Sequence, residues 1–234
     1  MSASVRSQRR RAPRKGDLHH VLAVRPGPFA EWSKAFIDAC GHIVSGEIGY
    51  ARELLKSVDG RAISIWYDYT AQNAGRDRAV LLGVRGRSEG GSSPLRARDE
   101  QRMPDKAVTS SLRARDRNRC RYCRQAVIDS EILRLVSTKT GINLTKADSN
   151  LETHGLYWLH CASIDHVDPH ARRGSTSPEN LVVSCNACQF GKGPYTLEEL
   201  DLELRPPAPE LRTSFGTWSN IVNSLAVGEF DLTL

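Results

Sequence analysis

Two Cys-x-x-Cys pairs, Cys120/Cys123 and Cys185/Cys188, constrain this 234-residue chain more than any other feature. Each pair brings two thiols to one tight knuckle, and two knuckles complete the tetrahedron a zinc ion prefers. Sixty-one residues, 124–184, separate the pairs. That is more than a compact zinc ribbon uses, so everything between must loop out and return. Cys40 and Cys161 have no partner at ligand spacing and read as small core residues. A redox-dithiol reading is weak, because no βαβ context surrounds either pair.

The charge is modest in sum and uneven in distribution. The net charge is +6, from 33 Lys+Arg against 27 Asp+Glu, which suits a polyanionic partner without establishing one. The first sixteen residues carry Arg6, Arg9, Arg10, Arg11, Arg14 and Lys15 and no acid. A second basic stretch runs from Arg113 through Arg115, Arg117, Arg119 and Arg121 to Arg124. Both are expected to supply salt-dependent, non-specific affinity. No apolar run approaches the roughly 18 residues of a membrane span, and no apolar h-region follows the basic terminus. Paired cysteines used for metal fit a reducing compartment. The expectation is a soluble, cytoplasmic protein with no membrane partner.

Four regions follow from the composition along the chain. Residues 1–16 read as a basic, disordered arm. Residues 17–100 read as a small α/β region plus linker. Its expected strands are Leu18–Val24, Ala62–Tyr69 and Ala79–Val84, and its expected helices Phe29–Cys40 and Ile48–Val58. The Gly-, Ser- and Arg-rich run 85–100 is the linker. Residues 101–204 hold both cysteine pairs. Here helices are expected at Lys106–Asp116 and Ser130–Lys139, the second stopped by Gly141. Strands are expected at Leu156–Val167 and Leu181–Ser184, and a capping box at Thr196–Glu199 opens a brief helix to about Leu204. Residues 205–234 form an extension with a last helix at Phe215–Leu225.

The chemistry concentrates in IDHVDPHARRGSTSPENLVVSCNACQFGKG, from Ile164 to Gly193. Asp165 and His166 are adjacent on an expected strand, so their side chains should point to opposite sides and serve different tasks. A neutral imidazole near pH 7 can take a proton from an attacking water. Asn180 both donates and accepts hydrogen bonds, which suits a residue that pins a loop. Arg172, Arg173 and Lys192 are candidates for phosphate contacts that position a nucleic acid. His160 and His170 flank the strand; one could support the site, but a lone His more often has only a structural or surface role.

The order Cys-x-x-Cys, Asp-His, Asn-Leu, Cys-x-x-Cys resembles the HNH endonucleases, specifically the branch with a four-cysteine zinc site. RDRNRCRYC before the first knuckle and GKG after the second fit as well, and the resemblance covers about residues 105–200. It implies an α+β fold: a ββα-metal (His-Me finger) HNH nuclease module with a structural four-cysteine zinc site, preceded here by a small α/β N-terminal region. It also implies a metal-dependent endonuclease acting on DNA. By the same resemblance Zn²⁺ would be structural and Mg²⁺ or Mn²⁺ the catalytic ion. Asp165 would bind that ion, His166 would activate water, and Asn180 would orient His166.

Two departures from the family pattern stand out. Gln189 stands where a His or Asn usually serves as second ligand to the catalytic ion. That predicts a weaker site, or a preference shifted towards Mn²⁺. The forty-one residues between Cys123 and Asp165 add a helix and more to a usually short connection. The competing reading is a zinc-stabilised nucleic-acid-binding module with little or no cleavage. RNA as substrate, nicking against double-strand cutting, and a homodimer that brings two sites to opposite strands stay open at this level.

Overall fold

The computed structural model describes residues 25–84 and 101–227, and its N-terminal part is helical throughout. Helices α1 (Phe29–Val44), α2 (Ile48–Lys56) and α3 (Gly60–Leu81) follow one another. The expected arm 1–16, strand Leu18–Val24 and linker 85–100 lie outside the described residues. The other two expected strands are corrected, because Ala62–Tyr69 and Ala79–Leu81 belong to the 22-residue α3. Asp59 caps that helix, accepting from the Ala62 amide. Its buried Ile63, Trp66, Tyr67, Thr70 and Ala74 recur at helical spacing. The β-branched and aromatic composition is real, but it packs one helical stripe. Among the described residues the N-terminal region is therefore helical rather than α/β.

The second part alternates helices with short strands. Helix α4 (Lys106–Asp116) is capped by Asp105, which accepts from the Val108 amide at 2.7 Å. Helix α5 (Ser130–Thr140) stops at Gly141, whose φ of 71° is left-handed and free of strain without a Cβ. The segment Leu156–Val167 divides, contrary to the single strand expected. His154 caps a six-residue helix, α6 (Gly155–His160), before β1 (Ala162–His166). Strand β2 (Leu181–Cys185) pairs antiparallel with β1, and α7 (Asn186–Lys192) follows at once. The Thr196–Glu199 capping box forms both of its bonds. No helix continues from it, because Asp201 turns into the left-handed region at φ 48°. A hairpin of β3 (Arg212–Thr213) and β4 (Gly216–Thr217) leads into α8 (Trp218–Val227). Among the described residues the result is α+β, with two small antiparallel sheets.

One hydrophobic core joins these elements, running from Phe36 and Ile63 through Val127 and Leu133 to Val183 and Trp218. Within it α3 lies close against α7. A Cβ added at Gly75 would stand 2.5 Å from the Gly191 carbonyl oxygen and 2.8 Å from that of Lys192. Only glycine lets the long helix lie so near the backbone of α7. The N-terminal helices thus buttress the element that carries the second knuckle.

Candidate active site and metal centre

The chain returns to the first knuckle as the spacing requires. All four thiol sulfurs of Cys120, Cys123, Cys185 and Cys188 lie within 4.8 Å of one another. Zinc–sulfur bonds of about 2.3 Å give a tetrahedron with edges of roughly 3.8 Å. Cys123 and Cys185 stand 3.7 Å apart, so the set fits such an ion. Cys123 is held well below the usual thiol range, first by hydrogen bonding with the Cys120 thiol and then with the other two. Cys40 and Cys161 lie outside the set, and burial pushes both thiols up.

The first knuckle closes through Cys120 N–H to the Gln125 carbonyl and Arg124 N–H to the Cys120 carbonyl, each 2.9 Å. Arg124 takes a φ of 68° to do so. Arg121 N–H then donates to the Val183 carbonyl, tying this knuckle to β2. Arg25, ahead of α1, reaches the cluster from the other side. Its guanidinium donates to Cys123 Sγ at 2.9 Å and to the Gln125 carboxamide oxygen at 2.6 Å, with Cys185 Sγ at 3.6 Å. A cation there offsets the net negative charge that four thiolates keep around a divalent ion.

The two-stranded ribbon separates two kinds of chemistry. Ala162 pairs with Cys185 at one end and His166 with Leu181 at the other. At about 3.4 Å per residue the ends lie roughly 14 Å apart. The sulfur cluster occupies one end and the Asp-His pair the other. At that second end a cleft of about 280 Å³ is lined by Asp165, His166, His170 and Gln189, with Arg102 and Phe190 at its wall. Neighbouring strand residues are expected on opposite sides, yet the cleft takes both Asp165 and His166. It lies across the end of β1, where strand gives way to loop.

Each member of the pair is held by named groups. Asp165 Oδ2 accepts from the Tyr122 hydroxyl at 2.7 Å and lies 3.5 Å from Lys192 Nζ. Burial pushes the Asp165 carboxyl up, and Lys192 and Tyr122 only partly offset it. His166 Nε2 lies 3.2 Å from the Thr176 hydroxyl, which donates to the Gln101 carbonyl at 2.8 Å. A hydroxyl has one proton, and here a carbonyl takes it. Thr176 can therefore only accept from His166, which puts a hydrogen on Nε2. In the neutral ring the basic lone pair is then on Nδ1.

Asn180 fastens the loop between the strands. Its Nδ2 donates to the carbonyls of Asp168 (3.0 Å) and Ser175 (2.8 Å), and its Oδ1 accepts from Asp168 N–H at 2.8 Å. Gly174 sits in the same bend, where a Cβ would overlap the Asp168 carbonyl. Residues 143–193, which span this ribbon, loop and helix, match the family model described as HNH endonuclease.

This segment is similar to an HNH endonuclease domain. The four clustered cysteines fit the zinc-braced branch of that family, although the first knuckle precedes the matched segment. Neither a curated protein nor a solved structure matches the chain.

Within the matched segment, Gln189 is held by its own strand. Its Nε2 donates to the Ile164 carbonyl at 3.1 Å, and its Oε1 accepts from the Ser163 hydroxyl. The carboxamide braces β1 while lining the cleft. Arg172 is paired with Glu199 at 2.7 Å. Arg173, at a φ of 65°, lies on the turn that follows His170. Lys192 is a correction. It is 0% exposed, and its amine donates to the His166 carbonyl at 2.9 Å. Buried there, it meets no phosphate at the surface.

The basic stretch from Arg113 to Arg124 makes many contacts within the chain. Arg113 pairs with Asp129, and Arg115 and Arg121 both hold the buried Asp116. Arg117, Arg119 and Arg124 donate to the carbonyls of Ala208, Arg124 and Pro206. These guanidinium groups tie the polypeptide together around the knuckle. His160 is a core residue, stacked on Phe36 with Nδ1 2.9 Å from the Ala126 carbonyl. His170 does reach the cleft, its ring 5.3 Å from that of His166.

Sequence reading misses Tyr122, Thr176, Arg102, Phe190 and Arg25. Tyr122 is within its reach, since it lies between two cysteines already singled out. The other four carry no local signal. No helix among the described residues is long and apolar enough to cross a membrane.

Proposed function

We propose that this chain is a metal-dependent endonuclease that hydrolyses phosphodiester bonds in DNA, working in the cytoplasm through a ββα-metal arrangement of β1, β2 and α7. The observation that carries the reading is the shared cleft: Asp165 and His166 line it together at the end of the ribbon away from the cysteines. Cys120, Cys123, Cys185 and Cys188 would hold structural Zn²⁺. Asp165 would hold Mg²⁺ or Mn²⁺, which would supply positive charge to offset the charge that builds up as the phosphodiester is cleaved.

The chain's own groups do the rest. His166 Nδ1 takes the proton of the attacking water. Thr176 fixes the tautomer through Nε2, and Lys192 holds the backbone carbonyl of His166. Asn180 keeps the loop folded so that His166 faces the cleft. Arg102, at the cleft wall, is placed to meet a phosphate oxygen, and Arg173 serves the same end farther along the loop. Phe190 is 50% exposed at the same cleft, where an aromatic face can stack on an unpaired base.

One observation favours a second reading, a zinc-stabilised nucleic-acid-binding module with weak cleavage. The Gln189 carboxamide is spent on Ser163 and Ile164, which leaves Asp165 with less help at the ion. Cleavage of supercoiled plasmid by zinc-loaded protein, titrated with Mg²⁺ and with Mn²⁺, decides between the two. The endonuclease reading expects nicked or linear product that disappears in Asp165→Asn. Retained plasmid binding with no product in either ion would favour the binding module.

A further inference from the structure

We propose that Tyr122 and Lys192 are positioning residues that couple the four-cysteine metal site to Asp165 and His166. The inference rests on the function proposed above and deepens it. It assigns a second task to the structural metal.

The geometry is specific. Tyr122 lies inside the first knuckle, between Cys120 and Cys123, and is 4% exposed. The Tyr122 hydroxyl has no part in the backbone bonds that close the knuckle, so a phenyl ring would fill its space equally well. The hydroxyl has another use: it donates to Asp165 Oδ2 at 2.7 Å, across forty-three residues of sequence. Lys192 meets the same oxygen at 3.5 Å. It ends α7, whose first turn carries Cys188, and it also holds the His166 carbonyl at 2.9 Å.

Each knuckle element thus sends one donor to one carboxylate. A metal ion that joins Cys120 and Cys123 to Cys185 and Cys188 also fixes Tyr122 relative to Lys192. Burying an amine and a phenol is costly unless each finds a partner, and here the partners are the catalytic carboxylate and the backbone of the general base. Outer groups of this kind commonly change metal affinity by about tenfold to a hundredfold. Linkage requires the effect to be reciprocal: a cation at Asp165 must steady the cysteine site.

The test uses the full chain loaded with zinc, with Tyr122→Phe beside wild type. Mn²⁺ affinity is measured by calorimetry, zinc content by atomic emission, and zinc release by a chromogenic chelator with and without saturating Mn²⁺. The expected result is unchanged zinc content and melting temperature in Tyr122→Phe, with Mn²⁺ bound about tenfold more weakly. Mn²⁺ should slow zinc release in wild type and lose that effect in the variant. Lys192→Met should weaken Mn²⁺ binding in the same direction. If it fails to fold, Tyr122→Phe decides alone. Equal Mn²⁺ affinity and equal protection of zinc in Tyr122→Phe would overturn the coupling while leaving the nuclease intact. A wild type that binds no Mn²⁺ would overturn the function it rests on.

Discussion

Thr176 stands 3.2 Å from His166 Nε2 while giving its own proton to the Gln101 carbonyl. One hydroxyl therefore fixes which imidazole nitrogen is basic and fastens the segment before α4 to the cleft. Thr176→Val keeps the shape and removes the acceptor. Cleavage should fall about tenfold, the size of one hydrogen bond, with the melting temperature nearly unchanged. Thr176→Ser should restore it. Steady-state rates of plasmid nicking check this, and full activity in Thr176→Val would remove Thr176 from the mechanism.

Arg25 links a region far away in sequence to the sulfur cluster. Its contacts with Cys123 and the Gln125 carboxamide predict faster loss of zinc when the charge is removed. Arg25→Met should release zinc to a chelator several-fold faster than wild type, by analogy with other groups that hold metal ligands from behind. Arg25→Lys should fall between, because an ammonium lacks the planar fork. Identical release from all three proteins would reduce Arg25 to a packing residue.

His160 supplies a pH dependence whose sign can be worked out. Burial lowers it from its ordinary value of 6.5 to about 3, so folding favours the neutral ring. Its contribution is complete above the unfolded value and is lost as pH falls from about 6.5 towards 3. The slope is about 1.4 kcal/mol per pH unit in that window, or roughly 2 kcal/mol between pH 7 and pH 5. Urea unfolding at both values should show the loss. His160→Gln, which cannot titrate, should show a slope shallower by one proton, and an unchanged slope would mean that His160 is not the group responsible.

The legible parts of this chain are those with local signals. Asp105 and Gly141 mark helix ends that the structure reproduces at α4 and α5. The Cys-x-x-Cys spacing predicts a cluster, and the cluster forms. The misread parts are those where tertiary packing outweighs composition. Ala62–Tyr69 has the β-branched and aromatic content of a strand, but Ile63, Trp66, Tyr67 and Thr70 also mark one helical face. That face packs only because Gly75 lets α3 approach α7. The least legible features are long-range. Tyr122 meets Asp165 across forty-three positions and Arg25 meets Cys123 across ninety-eight. A single sequence carries no sign that Lys192 turns inward or that the Arg113–Arg124 run contacts carbonyls, the buried Asp116 and the half-buried Asp129.

His166 as the group that activates water is the central claim. The deciding measurement is conversion of supercoiled plasmid in Mg²⁺ and in Mn²⁺ by wild type and His166→Ala, both shown to retain zinc and to melt alike. Nicked or linear product from wild type, with a loss of at least about a hundredfold in the variant, is the predicted result. Equal cutting by both proteins would contradict it.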